Sequence, residues 1–223
     1  MKRNYEQTFE SFVVGKSNHF AYMAAKAVTE HVGTSSDPLW IVGKSGTGKT
    51  HLLNAVFNEK TRRDPGARIE ACSAEDLIDE LIKHTRSGPV EAFHARLSQN
   101  DVLLIDDIHV LRGKSQTQTE FLRLLHAVAD RDHQVVMASA SDPRELPVLA
   151  AGLRDRFHAA LLADIPPYDP EECLAIAREK AKRAGLSLPK ESLQQIASRS
   201  EGDVRRIEGI ITLLTFKDRN TDA

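Results

Sequence analysis

The stretch Leu39-Trp40-Ile41-Val42-Gly43-Lys44-Ser45-Gly46-Thr47-Gly48-Lys49-Thr50 decides the fold class of this chain. Leu39 to Val42 is a short apolar run, the pattern of a buried strand. It leads straight into a glycine loop, and Thr50 to Arg62 has the amphipathic spacing of a helix. Gly43 to Thr50 fits G-x-x-x-x-G-K-[ST]. Its glycines let the backbone turn tightly, so that successive N–H groups point at phosphate oxygens. Lys49 is expected to reach the β- and γ-phosphates as a point charge, and the Thr50 hydroxyl to ligate Mg²⁺. The helix that starts here adds the positive end of its dipole. A chance glycine turn is the bland alternative, and the strand before the loop and the helix after it argue against it.

The second half of such a site lies at Val102-Leu103-Leu104-Ile105-Asp106-Asp107. An apolar strand ending in two acids holds carboxylates at the carboxyl edge of a sheet. Asp106 is expected to hold Mg²⁺ through its water shell. Asp107 is expected to orient or deprotonate an attacking water. Alone, such a pair reads more simply as a solvated turn; beside the glycine loop it reads as catalytic.

Further out, strands and helices alternate. Arg68 to Cys72 reads as a weaker strand, Asp101 to Ile105 and Gln134 to Ser139 as buried strands, and His158 to Ile165 as a final one. Helices are expected over Ala74 to His84 and Val90 to Leu97, divided by the breaker Ser87-Gly88-Pro89, and from about Thr117 to Ala129. After Pro166-Pro167 only helical patterns remain: Asp169 to Ala184, Lys190 to Ser200 and Asp203 to Phe216. The order implies an α/β core, residues 1–165, with a parallel sheet between helices, and a small helical domain, residues 166–223.

The net charge of −2 leaves no global basic field, so any nucleic-acid contact would need a local patch or several copies side by side. Cys72 and Cys173 have no C-x-x-C or Cys/His neighbourhood, which argues for two buried thiols rather than a disulfide or zinc site. No run approaches the ~20 apolar residues of a membrane span, and the N-terminus lacks a signal-peptide core. The chain reads as cytoplasmic.

Several stretches are more specific than the loop and the acidic strand. Phe12 to Ala25 (FVVGKSNHFAYMAA), the loop running into THLLNAV, Asp101 to Leu111 (DVLLIDDIHVL), Gly152 to Phe157 (GLRDRF) and Asp203 to Gly209 (DVRRIEG) together resemble the ATPase domain of the DnaA family of bacterial replication initiators, in the AAA+ class. The resemblance covers nearly the whole chain. It implies a P-loop AAA+ core with a helical lid, binding ATP or ADP with Mg²⁺. By resemblance Val13, Val14, Gly15 and Asn18 lie over the adenine base. Gly43, Ser45, Gly46, Thr47, Gly48, Lys49, Thr50 and His51 complete the nucleotide set.

Arg156 matches the arginine finger that enters a neighbour's ATP site, and Arg205 the lid arginine that touches the nucleotide of its own subunit. Guanidinium groups suit charge that builds on phosphate oxygens. By composition alone each would be a surface salt-bridge residue. The helices between residues 74 and 97 match the insertion that helps initiator subunits stack in a spiral facing single-stranded DNA. Ile78 and Lys114 fall on positions that contact the strand in the family, against the simpler readings of a core isoleucine and a solvated lysine.

Three positions depart from the family pattern: Ala140 stands where an aspartate usually follows the sensor-strand serine, Gly152 replaces an arginine, and Gln116 replaces a basic residue. They bear on hydrolysis, nucleotide sensing and origin unwinding and leave ATP binding intact. The resemblance also implies helix-turn-helix duplex recognition beyond the lid, and nothing up to Ala223 resembles one. An excised domain and a short stand-alone paralogue both fit, and Met1 favours the second.

Three functions compete. The first is an ATP-dependent assembly module with weak, switch-like hydrolysis, associating head to tail and engaging DNA, a full-length initiator or a replicative helicase. The second is a regulator that binds the initiator and stimulates its hydrolysis through Arg156. The third, a small-molecule kinase, lacks any acceptor-binding motif.

Overall fold

The computed structural model describes residues 1–30, 37–87, 90–129, 133–142 and 151–221. In chain order the elements are α1 (His19–Glu30), β1 (Leu39–Gly43), α2 (Lys49–Arg63), β2 (Ile69–Ser73), α3 (Ala74–Ser87), α4 (Val90–Leu97) and β3 (Val102–Asp106). There follow α5 (Ser115–Ala129), β4 (Gln134–Ser139), α6 (Ala151–Ala159), β5 (Leu161–Ile165), α7 (Pro170–Arg183), α8 (Lys190–Ser200) and α9 (Val204–Thr221). A 3-10 turn at Ile108–Leu111 follows β3.

The strands form one parallel sheet in the order β2-β3-β4-β1-β5. Trp40 of β1 pairs with Met137 of β4, and Leu103 of β3 with Val135. Every residue of β1 and β3 is buried, as strands covered by helices on both faces require. The edge strands differ: β2 is half-buried throughout, and Leu161 of β5 is exposed. The continuous apolar runs of β1 and β3 were therefore reliable signals, and the weaker reading of β2 reflects its place at the edge.

The chain folds as two compact units. The first comprises Met1–Phe12, Phe20–Gly43 and Lys49–Asp164; the second comprises Val13–His19, Lys44–Gly48 and Ile165–Ala223. In the first, α3 contributes Leu77, Ile78 and Leu81 and α4 contributes Phe93 and Leu97 to the core that Leu103 and Ile105 of β3 also join. In the second, Ile176 of α7, Ile196 of α8 and Ile207 of α9 are buried as the three helices pack on one another.

Several expectations need correction. The final strand begins at Leu161, not His158, because α6 runs on through Ala159. Phe157 packs edge-on against Trp40 with ring centroids 4.2 Å apart, which commits that stretch to helix. Helix α5 starts at Ser115, α3 continues to Ser87, and α9 extends to Thr221. Of the breaker, Gly88 and Pro89 lie outside the described residues. Helix α1 was not anticipated at all. Tyr22 on it meets Phe9 edge-on at 5.5 Å and stacks on Phe12 at 6.0 Å.

Candidate nucleotide site

Lys49, Thr50, His51, Asp106 and Asp107 belong to the first unit. Gly43 ends β1, and Lys49, Thr50 and His51 begin α2. Lys49 is 7% exposed, and its Nζ donates to Gly43 O at 2.6 Å. Thr50 Oγ1 donates to Asp106 Oδ2 at 2.6 Å. Two oxygen donors so close, one a carboxylate, suit Mg²⁺, which takes one or two protein ligands and leaves the rest to phosphate and water. Asp106 is 4% exposed, and burial raises its carboxyl above the ordinary range, opposed by the Thr50 hydrogen bond. A buried carboxylate held at this cost is what a cation site needs.

Asp107 follows immediately and differs in every respect. Its backbone N–H donates to Asp106 Oδ1 at 2.9 Å, while its own side chain is exposed. Its φ of 58° is left-handed, a conformation aspartate tolerates better than most residues. The chain thus turns sharply after β3, burying one carboxylate and presenting the next to solvent. His51 is placed otherwise than expected. Its Nε2 lies 2.9 Å from Thr8 O and 3.1 Å from Ser11 Oγ, and its ring meets Phe12 edge-on at 5.1 Å. The imidazole is committed to the N-terminal segment, leaving only the backbone N–H of this position for a phosphate.

Val13, Val14, Gly15, Asn18 and Arg205 belong to the second unit. Asn18 is buried, accepts from Gly15 N–H at 2.8 Å and donates to Val13 O at 3.0 Å, closing the turn Val13 to Asn18. Glu172 holds this turn from α7, accepting from Ser17 N–H at 2.8 Å and Ser17 Oγ at 2.6 Å. A Cβ at Gly15 would lie 2.5 Å from Glu172 Oε1, so glycine permits the approach. Burial pushes the Glu172 carboxyl up, but the hydrogen bonds from Ser17 and Asp169 outweigh it and hold the group below its usual range. Glu172 also forms a capping box with Asp169 at the start of α7.

The glycine loop is tied down in the same unit. Gly46 O accepts from Val204 N–H at 3.0 Å, and Thr47 O accepts from the Tyr168 hydroxyl at 2.7 Å. Gly46 has a φ of 77°, and a side chain there would collide with the Asp203 carboxylate. Arg205 Nη1 donates to Ser45 Oγ at 2.8 Å, which puts the expected lid arginine on the loop itself. Tyr168, Glu172 and Asp203 were missed from sequence. The D-x-x-E spacing of Asp169 and Glu172 signalled the cap, but nothing signalled the tyrosine.

The remaining expected residues lie elsewhere. Arg156 is half-exposed on α6, between the buried Leu153 and Phe157. Lys114 is exposed just before α5, whereas Ile78 is 4% exposed inside the core. That burial matches the simpler reading of Ile78 as a core isoleucine. Ala140 is exposed just after β4, and a Cβ at Gly152 would lie 2.8 Å from Leu122 Cδ2.

Comparison with known proteins accounts for this arrangement. The profile of the bacterial DnaA ATPase domain matches residues 3–164. The chromosomal replication initiator protein DnaA of Symbiobacterium thermophilum is 41% identical over 209 residues, covering 94% of this chain and 46% of that protein. The chain thus spans about half the length of that relative. Domain III of Thermotoga maritima DnaA superposes with a TM-score of 0.91 at 34% identity, covering 99% of this chain and 92% of that one. A replication initiator DnaA bound to AMPPCP and single-stranded DNA superposes with a TM-score of 0.89 at 34% identity, covering 96% of this chain and 66% of that one. With the phosphate loop, the acidic strand and the loop-bound arginine in place, the chain belongs to the bacterial DnaA ATPase domain family of the AAA+ class.

Proposed function

We propose that this chain is the ATP-binding module of a bacterial replication initiator, assembling head to tail through ATP into a filament that engages origin DNA, with slow hydrolysis as the switch. The observation that carries the reading is the 2.6 Å hydrogen bond between Thr50 Oγ1 and Asp106 Oδ2, which joins the loop and the acidic strand at a place suited to Mg²⁺. The related initiator bound to AMPPCP and single-stranded DNA supports it.

The residues divide the work. Lys49 exchanges its bond to Gly43 O for phosphate oxygens, and Thr50 and Asp106 hold the metal. Mg²⁺, when bound, neutralises charge on the phosphates. Asp107, exposed beside the buried Asp106, orients the attacking water. Val13 to Asn18 cover the base, and Arg205 contacts the nucleotide of its own subunit. Arg156, on the helix before the edge strand, serves the ATP of a neighbour. A contact of that kind is heterologous, so it generates an open spiral. Lys114 is the exposed basic group assigned to single-stranded DNA.

A second reading rests on Ala140, which leaves the end of β4 without the family's aspartate. A chain weak in its own hydrolysis would instead bind a full-length initiator and regulate its ATP turnover through Arg156. The shared test is nucleotide binding. Lys49→Ala is expected to lose binding of a labelled ATP analogue while the far-UV circular dichroism spectrum is kept. Equal affinity in variant and wild type would overturn both readings.

A further inference from the structure

The hydroxyl of Tyr168 uses both its hydrogen-bonding functions inside the second unit. It donates to Thr47 O at 2.7 Å and accepts from Asn18 Nδ2 at 3.0 Å, and both bonds are buried. The side chain is 7% exposed, and burial pushes its hydroxyl up to about 12, so it stays a donor through the neutral range. Asn18 is fully used as well. Its two N–H groups go to Val13 O and Tyr168 Oη, and its Oδ1 accepts from Gly15 N–H. One phenol therefore joins the turn at Val13 to Asn18 to the glycine loop.

The consequence for the loop follows from peptide geometry. The described backbone contains no cis peptide bonds, and in a planar trans peptide the C=O and the following N–H point in opposite directions. Holding Thr47 O on Tyr168 Oη therefore aims the Gly48 N–H the other way. The Val204 bond to Gly46 O does the same for the peptide before it. Gly48, with a φ of 95°, has no side chain to fix its orientation, so an external tie carries more weight there than at a substituted residue.

We infer that Tyr168 is a positioning residue: through one hydroxyl it couples the Val13 to Asn18 turn to the Thr47–Gly48 peptide, so that a disturbance of the turn is felt at the phosphate end. This deepens, and rests on, the reading of residues 43–50 as the ATP phosphate loop. The phenol touches no substrate atom itself. It acts by pre-orienting an N–H group that would otherwise have to be ordered when phosphate binds.

The test uses wild type, Tyr168→Phe, Asn18→Ala and the double variant. Each is titrated with a fluorescent ATP analogue and with inorganic tripolyphosphate, and its melting temperature is recorded. Tyr168→Phe keeps the ring and is expected to bind ATP about tenfold more weakly, the loss of two buried neutral hydrogen bonds. Asn18→Ala is expected to weaken ATP similarly, and the double variant to bind no worse than about twofold below the weaker single variant, because both cut one connection. Asn18→Ala also weakens tripolyphosphate, which has no adenine. A merely structural role would leave tripolyphosphate binding to Asn18→Ala unchanged or make the two losses multiply, and either result overturns the inference. ATP binding by Tyr168→Phe equal to wild type overturns it too. If Tyr168→Phe fails to fold, the tripolyphosphate titration of Asn18→Ala decides alone. Wild type that binds ATP no better than Lys49→Ala marks the failure of the phosphate-loop reading instead.

Discussion

Asp106 ends the buried strand β3 and Lys49 and Thr50 begin α2, whereas the Val13 to Asn18 turn and Arg205 are held by side-chain hydrogen bonds. The first arrangement comes from sheet and helix geometry: Asp106 is placed by the register of β3 in the parallel sheet, and Lys49 and Thr50 by the first turn of α2, which follows β1. The second depends on particular partners, Glu172 for Ser17 and Ser45 for Arg205, that no periodicity announces. Placement thus rests on regular backbone for Lys49, Thr50 and Asp106 and on side-chain hydrogen bonds for the Val13 to Asn18 turn and Arg205. Substitutions should therefore act differently in the two places.

The largest effect is expected at Asp107. Asp107→Asn should leave nucleotide binding nearly intact and slow single-turnover hydrolysis about 10²-fold. Its exposed, left-handed position makes it dispensable for packing. Equal rates in variant and wild type would remove it from the reaction and weaken the contrast with Asp106. Next comes Arg205→Ala in the other unit. Loss of a charged hydrogen bond should weaken ATP binding by about tenfold or more in equilibrium titration. ADP should be affected less, and equal losses for the two nucleotides would show that Arg205 serves the loop rather than the γ-phosphate.

The legibility of the sequence divided along the same line. The continuous apolar runs Leu39 to Val42 and Val102 to Ile105 located the central strands, and the G-x-x-x-x-G-K-T loop located Lys49 and Thr50. Helix α1 escaped notice because its buried face is made largely of small residues, Ala21 and Ala25 with Val28, which give weak apolar periodicity. Tyr168 escaped because its role depends on Thr47 and Asn18, remote in sequence. Ile78 was assigned to DNA by resemblance, while the amphipathic pattern of α3, with Leu77 and Leu81 beside it, already supported the core.

A smaller effect separates the buried Asp106 from the half-buried Glu172 by sign. Glu172 has a folded pKa below its ordinary 4.5, so it contributes stability above that pH and loses it as pH falls through the depressed value. Asp106 has a folded pKa above its ordinary 3.8, so its contribution is full below that value and is lost as pH rises through the raised one. At neutral pH the ionised Asp106 is a cost. In the nucleotide-free protein Glu172→Gln should lower the melting temperature at pH 7 and Asp106→Asn should raise it. Both differences should shrink in acid. A stabilising Glu172→Gln, or a destabilising Asp106→Asn, would contradict the contrast between a cap that holds structure and a site held ready for a cation.

Assembly tests the account most directly, because it requires the nucleotide and the Arg156 helix to work together across two copies. The measurement is sedimentation velocity of wild type and Arg156→Ala with a non-hydrolysable ATP analogue and with ADP, each alone and with a full-length initiator added. The account predicts that wild type forms larger species, or joins the initiator, with the ATP analogue and much less with ADP. Arg156→Ala should keep its nucleotide affinity and lose that association. If the variant associates as well as wild type, or if both stay monomeric alone and bind the initiator equally, ATP does not act through Arg156 and the proposed head-to-tail filament is wrong.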